Sequence, residues 1–215
     1  MRKDNYGIIR SVPVFNIDNL PDIRGTDCRE LLRHIKIDAD KDSIFQWLKQ
    51  LRVAPYSYDI LDNRGIKSPD YIIENLPDLK LNAHFLLAFH IYGFEENLFI
   101  AGRFCQPVNP PVNLYLKDLF IEYRIVVEEN FSLLWCKVKG YYNKGIGSKG
   151  FFAVFSVVNK IMMTRQLIKI RRLSELLKAG KISHGKFDFD NYYKESGIHW
   201  WFFCRRHNCK GLLNK

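Results

Sequence analysis

The sequence predicts an α+β fold, in which a curved antiparallel β-sheet wraps around one long C-terminal helix and two short helices follow the first strand. Three observations carry this expectation. Residues 31–40 alternate as a strand does and pass directly into helical spacing at 41–51. From residue 84 the chain breaks into short runs of β-branched and aromatic side chains separated by turn residues. Residues 151–179 then hold apolar positions on one helical stripe, closed by Gly180.

The elements follow in order. The first thirty residues read as an extended lead with turns at Pro13, Pro21 and Gly25. In LLRHIKIDAD, Leu32, His34, Lys36 and Asp38 share one side, and Leu31, Arg33, Ile35 and Ile37 the other. DKDSIFQWLKQL supplies an acidic first turn, after which Ile44, Phe45, Trp47, Leu48 and Leu51 recur at helical spacing. That helix stops before Pro55, because the residue ahead of a proline is pushed out of the α region. SPDYIIENLPDL offers Ser68 as a cap and Pro69 at the first helical position, which predicts the second short helix.

HFLLAFHIY, NLFIAGRF, DLFIEYRIVV and FSLLWCKVKGYY are expected to be successive antiparallel strands. In 119–127, Leu119, Ile121, Tyr123, Ile125 and Val127 face one way and Phe120, Glu122, Arg124 and Val126 the other, with 128–130 as a hairpin tip. Pro107, Pro110 and Pro111 make 105–118 a loop or an interrupted edge strand. The long helix places Phe151, Phe155, Val158, Met162, Ile170, Leu173 and Leu177 on its stripe, with Arg165, Lys169, Arg171 and Arg172 on much of the rest. A curved antiparallel sheet with a long helix across its concave face, enclosing a cavity, is the helix-grip fold.

With 215 residues and 47% hydrophobic positions, the composition is globular. The expected division is one domain over 1–180 and a basic, aromatic extension over 181–215. The longest apolar window, 151–163, is interrupted by Asn159 and Lys160 and falls short of the roughly 20 residues a membrane span needs. The N-terminus has no long apolar run, and the five cysteines are scattered and odd in number. The expectation is a cytoplasmic protein with reduced thiols, no signal peptide and no transmembrane segment. The formal charge of +10 is uneven: residues 1–150 hold 20 Lys+Arg against 19 Asp+Glu, whereas 151–215 hold 13 against 4. Any anionic partner is therefore expected at the C-terminal third.

The stretch WLKQLRVAPYSYDILDNRGIKSPDYI, together with the element order, resembles the SRPBCC superfamily of START-like, polyketide-cyclase-like and Bet v 1-like proteins. The match is to an uncharacterised bacterial subgroup in which a helix carrying Trp47, Gln50 and Arg52 runs into Pro55, Tyr56, Ser57, Tyr58, Asp59, Asp62, Asn63, Gly65, Ser68 and Pro69. The resemblance implies a hydrophobic cavity for a lipid-like or polyketide-like molecule. It implies no shared catalytic set and no cofactor, and it leaves the segment after 180 unexplained.

The expected ligand walls are Phe85, Phe89, Tyr123, Trp135, Phe151, Phe155 and Met162, with Tyr56, Tyr58 and Asp59 near the entrance. A second reading is a cyclase- or hydrolase-like enzyme. There Asp59 and Asp62 serve as acid and base, Tyr56 or Tyr58 as proton donor, and Arg52 or Arg64 steadies an oxyanion. The plainer account is that Pro55 stops a helix and DNRG turns the chain. His84 and His90 are expected on one strand face, either as an acid–base pair or, preferred, as a hydrogen-bonded sheet edge. GIGSKG at 145–150 fits a dinucleotide-phosphate turn by pattern, but its antiparallel surroundings favour a plain strand-to-helix turn. Cys204, His207 and Cys209 lack the spacing of a zinc site, so no metal is expected. Lys and Arg interleaved with Trp and Phe over 165–215 suit an anionic membrane surface, with nucleic acid ranked behind it. The plainest account is an aromatic run folded back on the domain.

Overall fold

In the computed structural model, which describes residues 12–57, 67–86, 88–104 and 112–189, alternation and capping become geometry directly. Asp40 caps α1 (Lys41–Gln50) by accepting the Ser43 amide at 2.7 Å, and Ile44, Phe45, Trp47 and Leu48 are fully buried along its inner side. Each such side chain stabilises the fold by roughly 1.5–3 kcal/mol. Before α1 comes β1 (Thr26–Ile37). After it, β2 (Ile72–Ile73), β3 (His84–Phe85), β4 (Phe89–Glu95) and β5 (Phe99–Phe104) lead to a single turn, α2 (Val112–Tyr115). Then follow β6 (Leu116–Val127), β7 (Ser132–Asn143), α3 (Ile146–Lys178) and β8 (His184–Gly185).

Six strands form one antiparallel sheet in the order β1-β7-β6-β5-β4-β3, and α3 lies across β1 and β7 with α1 beside it. This is the α+β helix-grip arrangement that the sequence predicts. The alternations are those expected: Leu119, Ile121, Tyr123 and Ile125 join the core under the helices, while Phe120 faces the other way.

Both faces of the sheet are covered. The inner core holds Ile37, Ile91, Ile100, Leu134 and Val138 against α1 and α3. On the outer face, Phe15 and Ile17 pack on Ala101, Phe120, Leu133, Trp135 and Tyr141. A one-turn 3-10 helix (Asn16–Asn19) is fixed there by charges that the strands present. The Ile17 amide donates to buried Glu122 at 3.1 Å, and Lys139 Nζ donates to the carbonyls of Ile17, Asp18 and Leu20 at 3.1, 3.3 and 3.4 Å. Lys137 pairs with Asp18 and, at 2.9 Å, with Glu30.

Three expectations are corrected. Residues 68–79 form no helix: Ile72 and Ile73 pair in parallel with β8, and the Ile73 amide donates to Gln50 Oε1 at 2.6 Å. Partners from two distant segments outbid the local cap. HFLLAFHIY is not one strand either. Leu86 adopts φ 47° and the chain reverses into the β3–β4 hairpin, so His84 and His90 face each other across two strands. The long helix begins at Ile146, five residues early, taking Gly147 and Gly150 into its first turns. Gly145, at φ 147°, makes the strand-to-helix turn, and the strands before it are antiparallel. By length and composition α3 is also able to cross a membrane, unlike the shorter window read from sequence. Its inner stripe of Met163, Leu167, Ile170 and Leu173 is nonetheless built into the core.

Candidate ligand site

Between sheet and helix the interior carries two polar links. Tyr123, 1% exposed on β6, donates to Gln166 Oε1 of α3, and Gln166 Nε2 donates to the Pro55 carbonyl. Gln50, at the end of α1, donates to the Tyr56 hydroxyl at 2.8 Å and to the Tyr71 carbonyl at 3.3 Å. A buried polar group must find partners, and here each amide joins elements remote in sequence. Burial pushes the Tyr123 hydroxyl well above its ordinary range and the neighbouring Cys136 thiol up to about 12, so both stay protonated. These groups position; they are not poised as bases or nucleophiles.

Along α3 the packing changes character. Towards its C-terminal end Met163, Leu167, Ile170 and Leu173 seal against the sheet. Near its start an aromatic cluster takes over. Phe151 stacks on Tyr115 and Phe155 with centroids 5.4 and 5.9 Å apart, and Tyr142 of β7 meets Phe152 edge-on at 5.1 Å. Phe151, Phe152 and Phe155 remain half-buried. Beside Tyr142 and Phe152 a cleft of about 210 Å³ opens, edged by Asp27, Arg29, Ser148 and Lys149. Gly140 makes room for the Tyr142 ring: a Cβ there would lie 2.7 Å from Tyr142 Cε2. A second cleft, of about 370 Å³, runs between α1 and residues 72–79 and is lined largely by polar side chains such as Lys49, Arg52 and Glu74.

The expected site residues fall into several places. Phe151 and Phe155 join the aromatic cluster, and Met162 is half-buried just beyond them. Phe85 meets Tyr123 edge-on at 6.2 Å, and Phe89 meets Phe104 at 5.3 Å, both on the inner side. Gly102 lies beneath Phe85, where a Cβ would come within 2.7 Å of the ring. Trp135 is on the opposite face, against His34 at 4.4 Å and within the outer core, so it is no wall of the inner space. Its neighbours Leu134 and Cys136 point inwards instead. Tyr56 is not at an entrance. It is 2% exposed, adopts φ 54°, and sits edge-on to Trp47 at 5.9 Å. Tyr58 and Asp59 lie outside the described residues, as do Asp62, Arg64 and the 190–215 part of the tail.

Tyr142, Tyr115 and Gln166 escape the sequence reading, and Gln50 enters it only within the family resemblance. Two of them left a signal. Gln166 is a polar residue on a stripe otherwise formed by Met163, Leu167 and Ile170, and Gly140 stands two residues before Tyr142 on the same strand face. Among the described residues no group of three or more His, Cys, Asp or Glu side chains is placed to hold a metal ion.

No known family model and no curated protein matches this chain. Solved structures do. A START superfamily protein from Mycobacterium smegmatis shares 12% identity at a TM-score of 0.41, covering 67% of this chain and 98% of its own. An aromatase/cyclase from Streptomyces shares 10% at 0.45, covering 73% and 99%. Truncated norcoclaurine synthase from Thalictrum flavum shares 10% at 0.40, covering 73% and 97%. The likeness is in outline. No residue role passes across it.

Proposed function

We propose that the protein binds an apolar or amphipathic small molecule between its sheet and α3, at the end where α3 begins. The observation that supports this is the contrast along the helix. Its C-terminal part is sealed, whereas Phe151, Phe152 and Phe155 stay half-buried, and Phe152 with Tyr142 lines an open cleft of about 210 Å³. Two aromatic rings, Tyr142 and Phe152, form its apolar wall, and Asp27, Arg29, Asn143, Ser148 and Lys149 make the rest polar, a lining suited to an amphipathic ligand. The cleft is smaller than the roughly 300–1,000 Å³ of drug-sized pockets, so it suits a small ligand or one end of a longer one. Arg29 and Lys149 at its rim favour a ligand whose polar end is acidic, with Asp27 limiting how much negative charge is welcome.

Solvent extraction and native mass spectrometry of the purified protein test the proposal, together with titration of a solvatochromic naphthalene sulfonate dye. Dye binding is expected, and Phe152→Ala should weaken it about tenfold, the lower bound for losing one buried phenyl contact. A protein that carries no extractable molecule and takes up no dye refutes it.

For the enzymatic reading, the residues it needs are engaged elsewhere or lie beyond the described segments. Arg52 donates to the carbonyls of Lys49 and Asp78 at 3.1 and 2.9 Å and to that of Pro77, and Tyr56 holds Gln50.

A further inference from the structure

Helix α3 is apolar on two sides. Its inner stripe is in the core; its outer stripe is not. Val154, Val157 and Ile161, spaced by three and four residues, are 67%, 57% and 50% exposed, with Val158 and Ile168 at 46%. Ile146, at the helix start, is 89% exposed. A helix apolar all round is normally covered all round, yet among the described residues this face stays open.

Its charge narrows what could cover it. Between Glu129 and Glu175 the chain has no acidic residue and nine Lys and Arg. Of these, Lys160, Arg165 and Arg172 are exposed and lie, by helical spacing, on or beside the apolar stripe. A second copy of the same face would set cations against cations. Residues 190–215 of this chain, with five Lys and Arg against two Asp and Glu, would do likewise. A surface both apolar beneath and negative on top satisfies both properties at once. We propose that the outer face of α3, from about Ile146 to Ile168, docks on an anionic lipid bilayer, with the helix lying in the plane of the interface. It lies there rather than crossing, because Gln166 and the inner stripe tie the same helix to Tyr123, Pro55 and the sheet. This inference is independent of the ligand.

Cosedimentation of the full-length protein with vesicles, without added ligand, tests it. One set is phosphatidylcholine alone and the other equal parts phosphatidylcholine and phosphatidylglycerol. Binding is expected to the anionic set, to weaken as salt rises, and to be absent from the neutral set. Combining Val154→Ser, Val157→Ser and Ile161→Ser should reduce partition about tenfold or more, since insertion strength follows buried apolar area. Lys160→Glu with Arg172→Glu should do so at low salt while leaving the apolar stripe intact, and circular dichroism checks that both variants are folded. Three results would overturn the proposal: no binding to anionic vesicles; binding that neither variant changes; or a dimer by light scattering that the serine variant dissociates.

Discussion

Glu122 and Lys139, on adjoining strands of the outer face, hold opposite ends of one 3-10 turn. Glu122 receives the Ile17 amide and Lys139 donates to the carbonyls of Ile17, Asp18 and Leu20. Negative charge therefore meets free amides and positive charge meets free carbonyls, the complement of the turn's own dipole. Arg124 closes the arrangement against Glu122 at 2.8 Å.

Glu122→Ala should destabilise the protein by about 3 kcal/mol, because it strands a largely buried Arg124 and the Ile17 amide. Glu122→Gln should cost less. Burial pushes the Glu122 carboxyl above its ordinary range, so its protonated form is favoured by folding, a contribution present at low pH and lost as pH rises through the folded value. Glutamine mimics that neutral form. Urea unfolding at pH 7 reads both variants, and in Glu122→Ala the Ile17 and Asp18 amides should exchange first. Equal costs for Ala and Gln would contradict the account.

Gly140→Ala is expected to displace the Tyr142 ring, since the new Cβ would lie 2.7–2.9 Å from Cε2, Cζ and the hydroxyl. The cost should be about 1–3 kcal/mol, as for other overpacked cores, and dye binding beside Phe152 should fall with it. Tyr142→Phe should be close to neutral, because the hydroxyl has no hydrogen-bond partner among the described residues. Thermal melts of the two variants give the comparison.

Acid should weaken the fold through His84 and His90. Burial lowers His84 from 6.5 to about 4, and burial with Arg103 nearby lowers His90 opposite it. Between those pH values the unfolded chain binds the proton and the folded one does not, so stability declines as pH falls from about 6.5 towards 4. His84→Gln should flatten that limb of a stability–pH curve. An unchanged limb would mean that other groups govern it.

Gln50→Leu should cost more than Tyr56→Phe. Leucine leaves the buried Ile73 amide without its acceptor and also removes the bond to Tyr56, for about 2–4 kcal/mol, whereas Tyr56→Phe removes the Gln50 bond alone of these two, for about 1 kcal/mol. Urea denaturation of both, and of the double variant, separates the terms.

Much of the fold was legible because local patterns agreed with tertiary structure. Leu119 to Ile125 alternate, Asp40 precedes Ser43 by a capping distance, and Pro55 ends a helix. Legibility failed where partners were distant. Nothing in SPDYIIENL announces that Ile73 will meet Gln50 and that its neighbours will meet β8. Leu86 reverses a hairpin at positive φ with no Gly or Asn to signal it. The sequence places Trp135 among the inner walls and the structure places it outside, for a clear physical reason. Leu133, Leu134, Trp135 and Cys136 are all buried, so alternation carries no polarity when a sheet is covered on both sides. The aromatic end of α3 was half legible: Phe151 and Phe155 declared themselves, and Tyr115 and Tyr142, from other elements, did not.

Gln166 couples the position of α3 to the chain that enters the 55–57 turn. Its amide joins α3 to Pro55, so a ligand that lifts the helix must either break that bond or drag the chain leading to Tyr56 and Ser57. If the proposed ligand displaces α3, an environment-sensitive fluorophore on a Ser57→Cys variant should report it, and Gln166→Leu should abolish that report while dye binding persists.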